Sequence, residues 1–323
     1  MDESRTVALV KDQINGQIED LLNKVKDPQA KEYISRFFLR DLFNYAKEIS
    51  RLASRLSEVD ADPEEIDSKF ERLTTEILLK GCCLEELVDN KIIMRKIRDD
   101  FRALAGRWLY EGPILKKSLE KLRRYPGNYF MLESIYDNQP LGKTGIGLYA
   151  DKYFLNSPYV VALRLRKDKL GKILEEEIKG SSSETIRIFD IACGSCREMR
   201  ELPFSLFENK EVIFTCLDWD KEALEFSQKL IGDFPSQVKF DFKLHDVTNL
   251  RKDVHLAGKF EKQNLVYSVS LIDYLPDRIL KTFVRFCFSL LDAGGKLVLT
   301  HKNREKTFSP LPVNWLCDWK FVP

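Results

Sequence analysis

Apolar residues in the second half of the chain form short runs that alternate with helical patterns. Ile186–Ile191 is one such run, and Val212–Leu217 is a second. Runs of this length are typical of parallel strands buried on both faces. We predict further strands at Val238–Leu244, Asn264–Ser270 and Lys296–Thr300, and a last antiparallel edge strand at Trp315–Val322. The pattern therefore predicts an α/β fold with a doubly wound, mostly parallel sheet.

The first half of the chain has a helical period instead. Asp62 and Pro63 suit the cap and first position of a helix. They separate two helical segments, each of which carries a row of apolar residues along one face, here called an apolar seam. The seams favour an antiparallel helical hairpin inside a bundle, and the alternative is a coiled coil that joins two copies as a homodimer. We expect a helical N-terminal domain over residues 1–112, a connecting or lid region with a cap helix over 113–183, and the sheet domain over 184–323.

Composition narrows the class of protein. The 323 residues are 44% hydrophobic, and 52 basic against 51 acidic residues give a net charge of +1. This balance gives no electrostatic reason to expect a nucleic acid partner. No apolar run is long enough to span a bilayer, and residues 1–30 lack a signal-peptide core. The seven cysteines, an odd number, favour a reducing cytoplasm.

The two central strands carry candidate ligand-binding residues at their carboxyl ends. Ala192–Ser195 are all small, so the backbone can turn sharply there and a ligand can approach it closely. Asp218 ends the next strand about 20 residues later, where an acid can bind ribose hydroxyls. Asp220 is a competing candidate, although its position also suits a helix cap. The spacing favours a nucleoside-type ligand.

The turn also contains the chain's one C-x-x-C sequence, Cys193–Cys196. This pattern could be a redox dithiol or half of a zinc site. A second C-x-x-C is absent, and the three histidines, His245, His255 and His301, are scattered along the sequence. Small turn residues explain the pattern more simply, so we predict no metal site.

Four stretches together resemble a known family. They are RRYPGNYFMLESIY, DIACGSCREMRELP, NLVYSVSLIDYLPDR and LLDAGGKLVL. They look like class I S-adenosylmethionine-dependent methyltransferases, and more specifically like those of 3-hydroxypalmitic acid methyl ester (extracellular factor) biosynthesis. The resemblance covers about residues 95–323, and it implies a Rossmann-like methyltransferase sheet. Asn128 stands where the family pattern has Asp, and His301 stands where it has Asn.

The resemblance implies S-adenosyl-L-methionine as cofactor and assigns residues to it. Asp190, Ala192, Cys193 and Gly194 would contact the methionine, Asp218 the ribose and Asp246 the adenine, with Trp219, Val247 and Ser268 as further cofactor contacts. Ser268, Asp273 and Tyr274 would face the transferring methyl group. Glu198 could cap the site from its helix or pair with Arg200 or Arg164.

The acceptor decides whether the reaction needs a base. We expect O-methylation of a small-molecule or acyl acceptor. An acceptor carboxylate is ionised at neutral pH and needs no base. Tyr125, Tyr129 and Tyr274 would then orient the substrate, and Arg124 could hold a charged group. The segment Tyr125–Tyr136 would form a lid over the site. A hydroxyl or amine acceptor needs a base, for which Asp273 or His301 is the candidate.

Structural roles and other functions remain open for the same residues. Tyr274 could be a core tyrosine, and Asp273 could cap the helix that Pro276 begins. The chain could also bind S-adenosylmethionine without catalysis and act on a protein partner through its helical domain. A dehydrogenase is disfavoured, because the second and third glycines of the dinucleotide fingerprint are absent.

Overall fold

The computed structural model of the protein describes residues 3–56, 62–120, 128–250, 255–301 and 310–319. Its helices are α1 (Glu3–Lys24), α2 (Pro28–Arg36), α3 (Phe43–Arg55), α4 (Pro63–Leu87), α5 (Lys91–Leu109), α6 (Pro113–Glu120), α7 (Tyr129–Asp137), α8 (Gly145–Asn156), α9 (Pro158–Gly180), α10 (Arg197–Arg200), α11 (Lys221–Leu230), α12 (Asp277–Leu290) and α13 (Pro310–Cys317). Its strands are β1 (Thr185–Ile191), β2 (Glu211–Asp218), β3 (Val238–Leu244), β4 (Gln263–Ser268) and β5 (Leu291–Leu299).

The chain divides into two compact units. The first comprises Met1–Pro126, Asp137–Val161 and Phe308–Trp319, and the second comprises Gly127–Tyr136, Ala162–Thr307 and Lys320–Pro323. The units are thus not simple consecutive halves of the sequence. The domain boundaries expected at residues 112 and 183 stay a prediction.

The first unit is helical, and its helices begin where the sequence places capping residues. Asp62 accepts a 3.0 Å hydrogen bond from the backbone N–H of Glu64, and Pro63 is the first residue of α4. A π-helical turn over Phe37–Leu42 joins α2 to α3. The side chain of Asp151 is fully buried and accepts hydrogen bonds from four backbone N–H groups, which fixes the start of α6.

The prediction of an edge strand at Trp315–Val322 is wrong, because Trp315 lies in helix α13. The Trp315 ring is fully buried and packs edge-on to Phe101 at 5.3 Å, and its Nε1 donates a 2.9 Å hydrogen bond to Glu85. Burying this large side chain among helices outweighs the β-propensity of an aromatic segment. Residues 320–322 of the predicted strand lie outside the described residues.

The second unit contains the predicted sheet. Its five strands are all parallel, in the order β3-β2-β1-β4-β5. The five predicted parallel strands and the doubly wound class are confirmed. Since β1 pairs with β2 on one side and β4 on the other, the strand order reverses at β1. Ligands of such sheets bind beyond the carboxyl ends of the strands at this reversal.

Strand β1 is buried on both faces, as its apolar run predicts. Ile186 and Ile188 pack in one core cluster with Leu174 of α9. Phe189 and Ile191 pack in a second cluster, on the other face, with Phe283 of α12. Helices therefore pack on both faces of the sheet at β1, and the carboxyl end of β1 leads into the turn. Over the residues that the structure describes, none of the helices is long and apolar enough to cross a membrane.

Candidate functional site

The turn after β1 takes an unusual backbone path. Ala192, Gly194 and Cys196 have φ values of +62°, +53° and +51°, so every second residue is left-handed. Glycine adopts this conformation without strain, whereas Ala and Cys lose about 1 kcal/mol or more. The turn is held by hydrogen bonds of 2.7 and 3.2 Å from the backbone N–H groups of Ala192 and Cys193 to the carbonyl of Leu217. A-C-G-S-C thus has left-handed backbone at three positions, of which only Gly194 is a glycine.

Asp218 connects this turn to the end of β2. Its Oδ2 accepts a 2.8 Å hydrogen bond from the backbone N–H of Gly194, and its Oδ1 accepts one of 2.9 Å from that of Asp220. Burial raises the pKa of Asp218 above its ordinary value. Each carboxylate oxygen has a further lone pair, so the group is fixed in place and can still accept a hydrogen bond from a ligand hydroxyl.

Helix α7 lies against the glycine turn. A Cβ atom built on Gly194 would approach the Cβ of Tyr129 at 3.9 Å, and the Tyr129 ring packs on Phe226 at 5.0 Å. Gly194 is partly exposed, and the absence of a side chain lets a ligand approach its backbone. The structure therefore brings Tyr129 beside the turn that was predicted to bind the cofactor.

Glu133 attaches α7 to this turn. It accepts hydrogen bonds of 2.6 Å from Ser195 Oγ, 2.6 Å from Arg200 and 3.0 Å from Arg197. Arg200 also donates to the carbonyl of Ser195 at 3.0 Å. Ion pairs that share several charge-assisted hydrogen bonds in a partly buried place are worth more than isolated surface pairs. Arg200 thus pairs with Glu133, and no ion pair links it to Glu198 among the described residues.

Two carboxyl groups lie close together behind the turn. Asp190 is 1% exposed, and across the sheet it is the register partner of Tyr267 on β4. Tyr267 donates a 2.9 Å hydrogen bond from its Oη to Glu198 Oε1. Burial and the neighbouring Glu198 raise the pKa of Asp190 well above its ordinary value. Burial is also the main cause that raises the pKa of Glu198 from 4.5 to about 7.

The cysteines of the turn face the core. Cys193, Cys196 and Cys216 are buried with Met199 in the apolar cluster on the α9 side of the sheet. A carboxylate oxygen of Asp190 and the sulfurs of Cys193 and Cys196 lie within 4.8 Å of one another. All of the cysteines that the structure describes are free thiols. The prediction that these thiols serve as small turn and core residues stays a prediction.

A second polar cluster lies at the carboxyl ends of β4 and β5. Arg166 of α9 donates from Nη1 to Ser270 Oγ at 2.6 Å and to Thr300 Oγ1 at 3.4 Å. Asp273 is buried between two basic groups, with Arg166 Nη1 at 3.7 Å and His301 Nε2 at 3.6 Å. Ser270 is left-handed, with φ +65°, and its N–H donates to Thr300 at 3.0 Å. The structure thus brings Asp273 and His301 together, as candidates for acceptor chemistry.

The remaining predicted residues have diverse surroundings. Asp246 lies two residues after β3 and caps the short helical turn that contains the buried Val247. Trp219 is 51% exposed beside Asp218, and Tyr274 is half-buried. Ser268 is fully buried and donates to the carbonyl of Ile191 at 2.7 Å. Arg124 and Tyr125 lie outside the described residues.

Sequence reasoning missed two residues that organise the site. Glu133 and Arg166 lie on helices, and each appears in the sequence as one charged residue among many. The signal for Glu133 was its place within the family-like stretch RRYPGNYFMLESIY. Arg166 had no such signal, because only the fold brings it to the ends of β4 and β5.

A comparison with protein families supports one class of chemistry. Residues 128–253 match the family model described as "Putative methyltransferase". This range contains α7, the glycine turn, Asp218 and Asp246. No curated protein sequence matches the chain. The chain therefore carries a methyltransferase domain, and S-adenosylmethionine is its expected cofactor.

Solved structures resemble the fold at low sequence identity. A protein from Bordetella parapertussis described as a possible exported protein has 18% identity and a TM-score of 0.45, over 85% of this chain and 73% of that one. An O-methyltransferase family protein from Burkholderia thailandensis has 12% identity and a TM-score of 0.41, over 88% of each chain. The CurJ carbon methyltransferase has 13% identity and a TM-score of 0.41, over 96% of this chain and 82% of that one.

The residues at the turn fit an adenosyl cofactor on structural grounds. Gly194 is partly exposed and has no side chain that hinders close approach, and Asp218 holds a fixed carboxylate at the end of β2. Asp190 Oδ2 is a buried acceptor without a hydrogen-bond partner in the described part of the chain. Buried polar atoms normally have a partner. A polar ligand at the end of β1 would supply it.

Proposed function

We propose that the protein transfers the methyl group of S-adenosylmethionine to a carboxylate oxygen of a small-molecule or acyl acid. Asp190, Ala192, Cys193 and Gly194 would hold the methionine part, Asp218 the ribose and Asp246 the adenine, with Trp219, Val247 and Ser268 beside them. The bound sulfonium supplies a methyl group that is already strongly electrophilic. The protein then has to align the acceptor and to exclude water.

The observation that carries the choice of acceptor is the arrangement around Arg166. All of its hydrogen bonds to described residues use Nη1, so Nε and Nη2 have none within that part of the chain. The side chain is only 13% exposed and is held in one place by Ser270, Thr300 and Asp273. An oriented guanidinium edge of this kind suits a carboxylate, which it binds through two parallel hydrogen bonds.

The position of Asp273 favours the same conclusion. The Asp273 carboxylate faces Arg166 and His301, so it is placed to orient these two groups. An acid acceptor is already ionised and needs no base. Asp273 would then position Arg166 and His301, while Tyr129 and Tyr274 would flank the acceptor. Arg124 and Tyr125 remain proposed substrate contacts.

Matched acceptors test this proposal. The full chain is incubated with methyl-labelled S-adenosylmethionine and pairs of a carboxylic acid and its primary alcohol, with acyl chains of several lengths and with or without a 3-hydroxyl group. We expect label in products of the acids and none in those of the alcohols. Transfer to the alcohols would contradict the carboxylate assignment. Cofactor binding without transfer to any acceptor would favour the non-catalytic alternative.

Other expectations stay proposals. A homodimer through the N-terminal helices and a cytoplasmic location follow from the apolar seams and from the cysteine content, respectively. Neither affects the assignment of the site.

A further inference from the structure

The helical unit contains a cavity between α4, the end of α8 and α13, and all of the residues that line it belong to that unit. We call it the helical-unit cavity, and its main lining residues are Asp67, Glu71, Leu78, Leu79 and Tyr153. Its volume is about 250 Å³, which is room for roughly eight groups the size of a water molecule. This volume lies close to the lower end of the range for small-molecule sites in proteins. The cavity therefore has the size for a small molecule.

One face of α4 forms a wall of the helical-unit cavity. Asp67, Glu71 and Thr75 follow one another at intervals of four residues, and Leu78 and Leu79 continue the row by one more turn. Residues four apart lie on the same face of a helix, and at 1.5 Å per residue the row is about 18 Å long. The wall is thus acidic toward the beginning of α4 and apolar toward its end.

The apolar part of the lining is not fully covered by the protein. Leu79 is exposed, whereas Leu78 is buried, and Pro158 and Pro312 add further apolar surface to the cavity. Removing apolar surface from water is favourable, so an aliphatic chain that covered Leu79 would gain free energy. Such a chain matches this part of the wall better than a polar group does.

The acidic part of the lining has an excess of negative charge. Asp67 pairs with Lys152 of α8, whose Nζ lies 3.1 Å from Asp67 Oδ2. Glu71 makes no ion pair or hydrogen bond with a residue that the structure describes, and none of the residues three or four positions from it on α4 is basic. One cation against two carboxylates leaves a net charge of −1. Because like charges four residues apart on a helix repel each other, a further cation would stabilise this end of the wall.

Tyr153 lies between α4 and the cavity and acts as a neutral part of the lining. Its ring packs edge-on to Phe70 at 6.2 Å, and its Oη lies at a hydrogen-bond distance of 3.2 Å from Thr75 Oγ1. Burial raises the pKa of Tyr153 to about 12, the hydrogen bond to Thr75 opposes this rise, and the negative charge of Glu71 adds to it. The phenol therefore stays protonated at neutral pH, and Glu71 supplies the charge that a ligand would meet.

We propose that the helical-unit cavity binds a primary alkylammonium ion, with the ammonium group beside Glu71 and the aliphatic chain along Leu78 and Leu79. The net negative charge favours an amine over a fatty acid of the same length. The apolar end favours a single amine over a diamine, because a second ammonium would lose its water there without a partner. No lining residue belongs to the unit that carries the glycine turn, so the inference does not rest on the proposed function.

Three ligands that differ only in their head group test the charge. Octylammonium, 1-octanol and octanoate are each titrated into the full chain at pH 7 in a calorimeter. We expect octylammonium to bind about fivefold more tightly than octanol and more than tenfold more tightly than octanoate, which Glu71 repels. Hexylammonium should bind about tenfold more weakly than octylammonium, because two buried methylene groups are lost.

A pair of matched variants tests the position of the site. Glu71→Gln should weaken octylammonium binding about fivefold, while the affinity for octanol stays within about twofold. Glu76→Gln is the control, because Glu76 is an exposed acid of the same helix that does not line the cavity. Both variants remove one negative charge from α4, so a general effect of net charge would appear equally in both.

Each outcome supports the inference or overturns it. A preference for the ammonium that is lost in Glu71→Gln and kept in Glu76→Gln supports it. Equal affinities for octylammonium and octanol, equal effects of the two variants, or a natural chain that does not bind octylammonium would overturn it. The comparison of head groups uses only the natural chain, so it does not depend on the folding of a variant. S-adenosylmethionine is absent from these titrations, so a negative result leaves the proposed function intact.

Discussion

The backbone N–H of Gly194 donates a 2.8 Å hydrogen bond to Oδ2 of Asp218. This bond ties the turn after β1 to the end of β2, so the two parts assigned to the methionine and the ribose form one connected site. Asp218 therefore orients the turn, and under the proposed assignment it would also bind the ribose. A change at this carboxylate should affect cofactor binding more than its single proposed ribose contact would suggest.

Asp218→Asn should weaken the binding of S-adenosylhomocysteine by ~1.5–3 kcal/mol, because charge-assisted hydrogen bonds are lost and one amide donor faces another. Titration calorimetry measures the change. Asp220→Ser is the matched control, because serine can still cap α11 as Asp220 does. Unchanged affinity in a folded Asp218→Asn variant would refute the ribose assignment.

The ion pairs of Glu133 should hold α7 against the turn. Glu133→Gln removes the charge that Ser195, Arg197 and Arg200 share, and we expect about 1–3 kcal/mol of lost stability. Arg200 loses its acid, whereas Arg197 keeps its ion pair with Glu201. The rate of amide hydrogen exchange in α7 should be higher in Glu133→Gln than in the natural chain, and the addition of cofactor should lower it again. Ser134→Ala, on the exposed side of the same helix, serves as control. Unaltered exchange in α7 would show that Glu133 does not attach it.

The left-handed conformation of Ala192 predicts a stabilising substitution. Ala192→Gly should raise the free energy of unfolding by up to about 1 kcal/mol, because glycine adopts a φ of +62° without strain, less the entropy that glycine adds to the unfolded chain. Ala223→Gly, in the right-handed helix α11, is the control and should lower the free energy of unfolding by about 1 kcal/mol. Denaturant unfolding compares the two. A destabilised Ala192→Gly would mean that the Cβ of Ala192 contributes more than its strain costs.

The raised pKa of Glu198 predicts how stability depends on pH. The folded chain binds the proton of Glu198 up to about pH 7, and the unfolded chain releases it near pH 4.5. Stability from this group is therefore fully present below pH 4.5 and is lost as the pH rises through 7. Glu198→Gln should remove this loss, so that its free energy of unfolding relative to the natural chain rises by about 3 kcal/mol between pH 4.5 and 7.5. If the free energies of unfolding of the two proteins changed equally with pH across this range, the raised pKa of Glu198 would be contradicted.

The sequence predicted the sheet well because its strands carry a local signal. Ile186–Ile191 is apolar on both faces, and a short run of that kind is typical of a strand that is buried on both faces of a sheet. Asp218 was found for the same reason, since its position is defined by the end of a strand. The wrong prediction at Trp315 has the opposite cause. Its helix is selected by burial beside Phe101 and Glu85, which are more than 200 residues away in the sequence.

The site was predicted only where strand ends define it. Asp190 and Gly194 follow from the pattern of β1, but Glu133 and Arg166 depend on how helices pack, and single charged residues on helices carry no local signal. The left-handed positions of Ala192 and Cys196 were also missed, because the usual sign of such positions is glycine. These are the residues that give the turn its particular chemistry.

The most direct test of the central claim is the chemical nature of the bond that receives the methyl group. The full chain is incubated with methyl-labelled S-adenosylmethionine and the best acid acceptor, and the product is treated with mild alkali. The account predicts a methyl ester, so the label should be released as volatile methanol, and Arg166→Met should reduce its formation while cofactor binding is retained. A label that withstands alkali, as in a methyl ether or a carbon-bound methyl group, would contradict the proposed carboxylate chemistry.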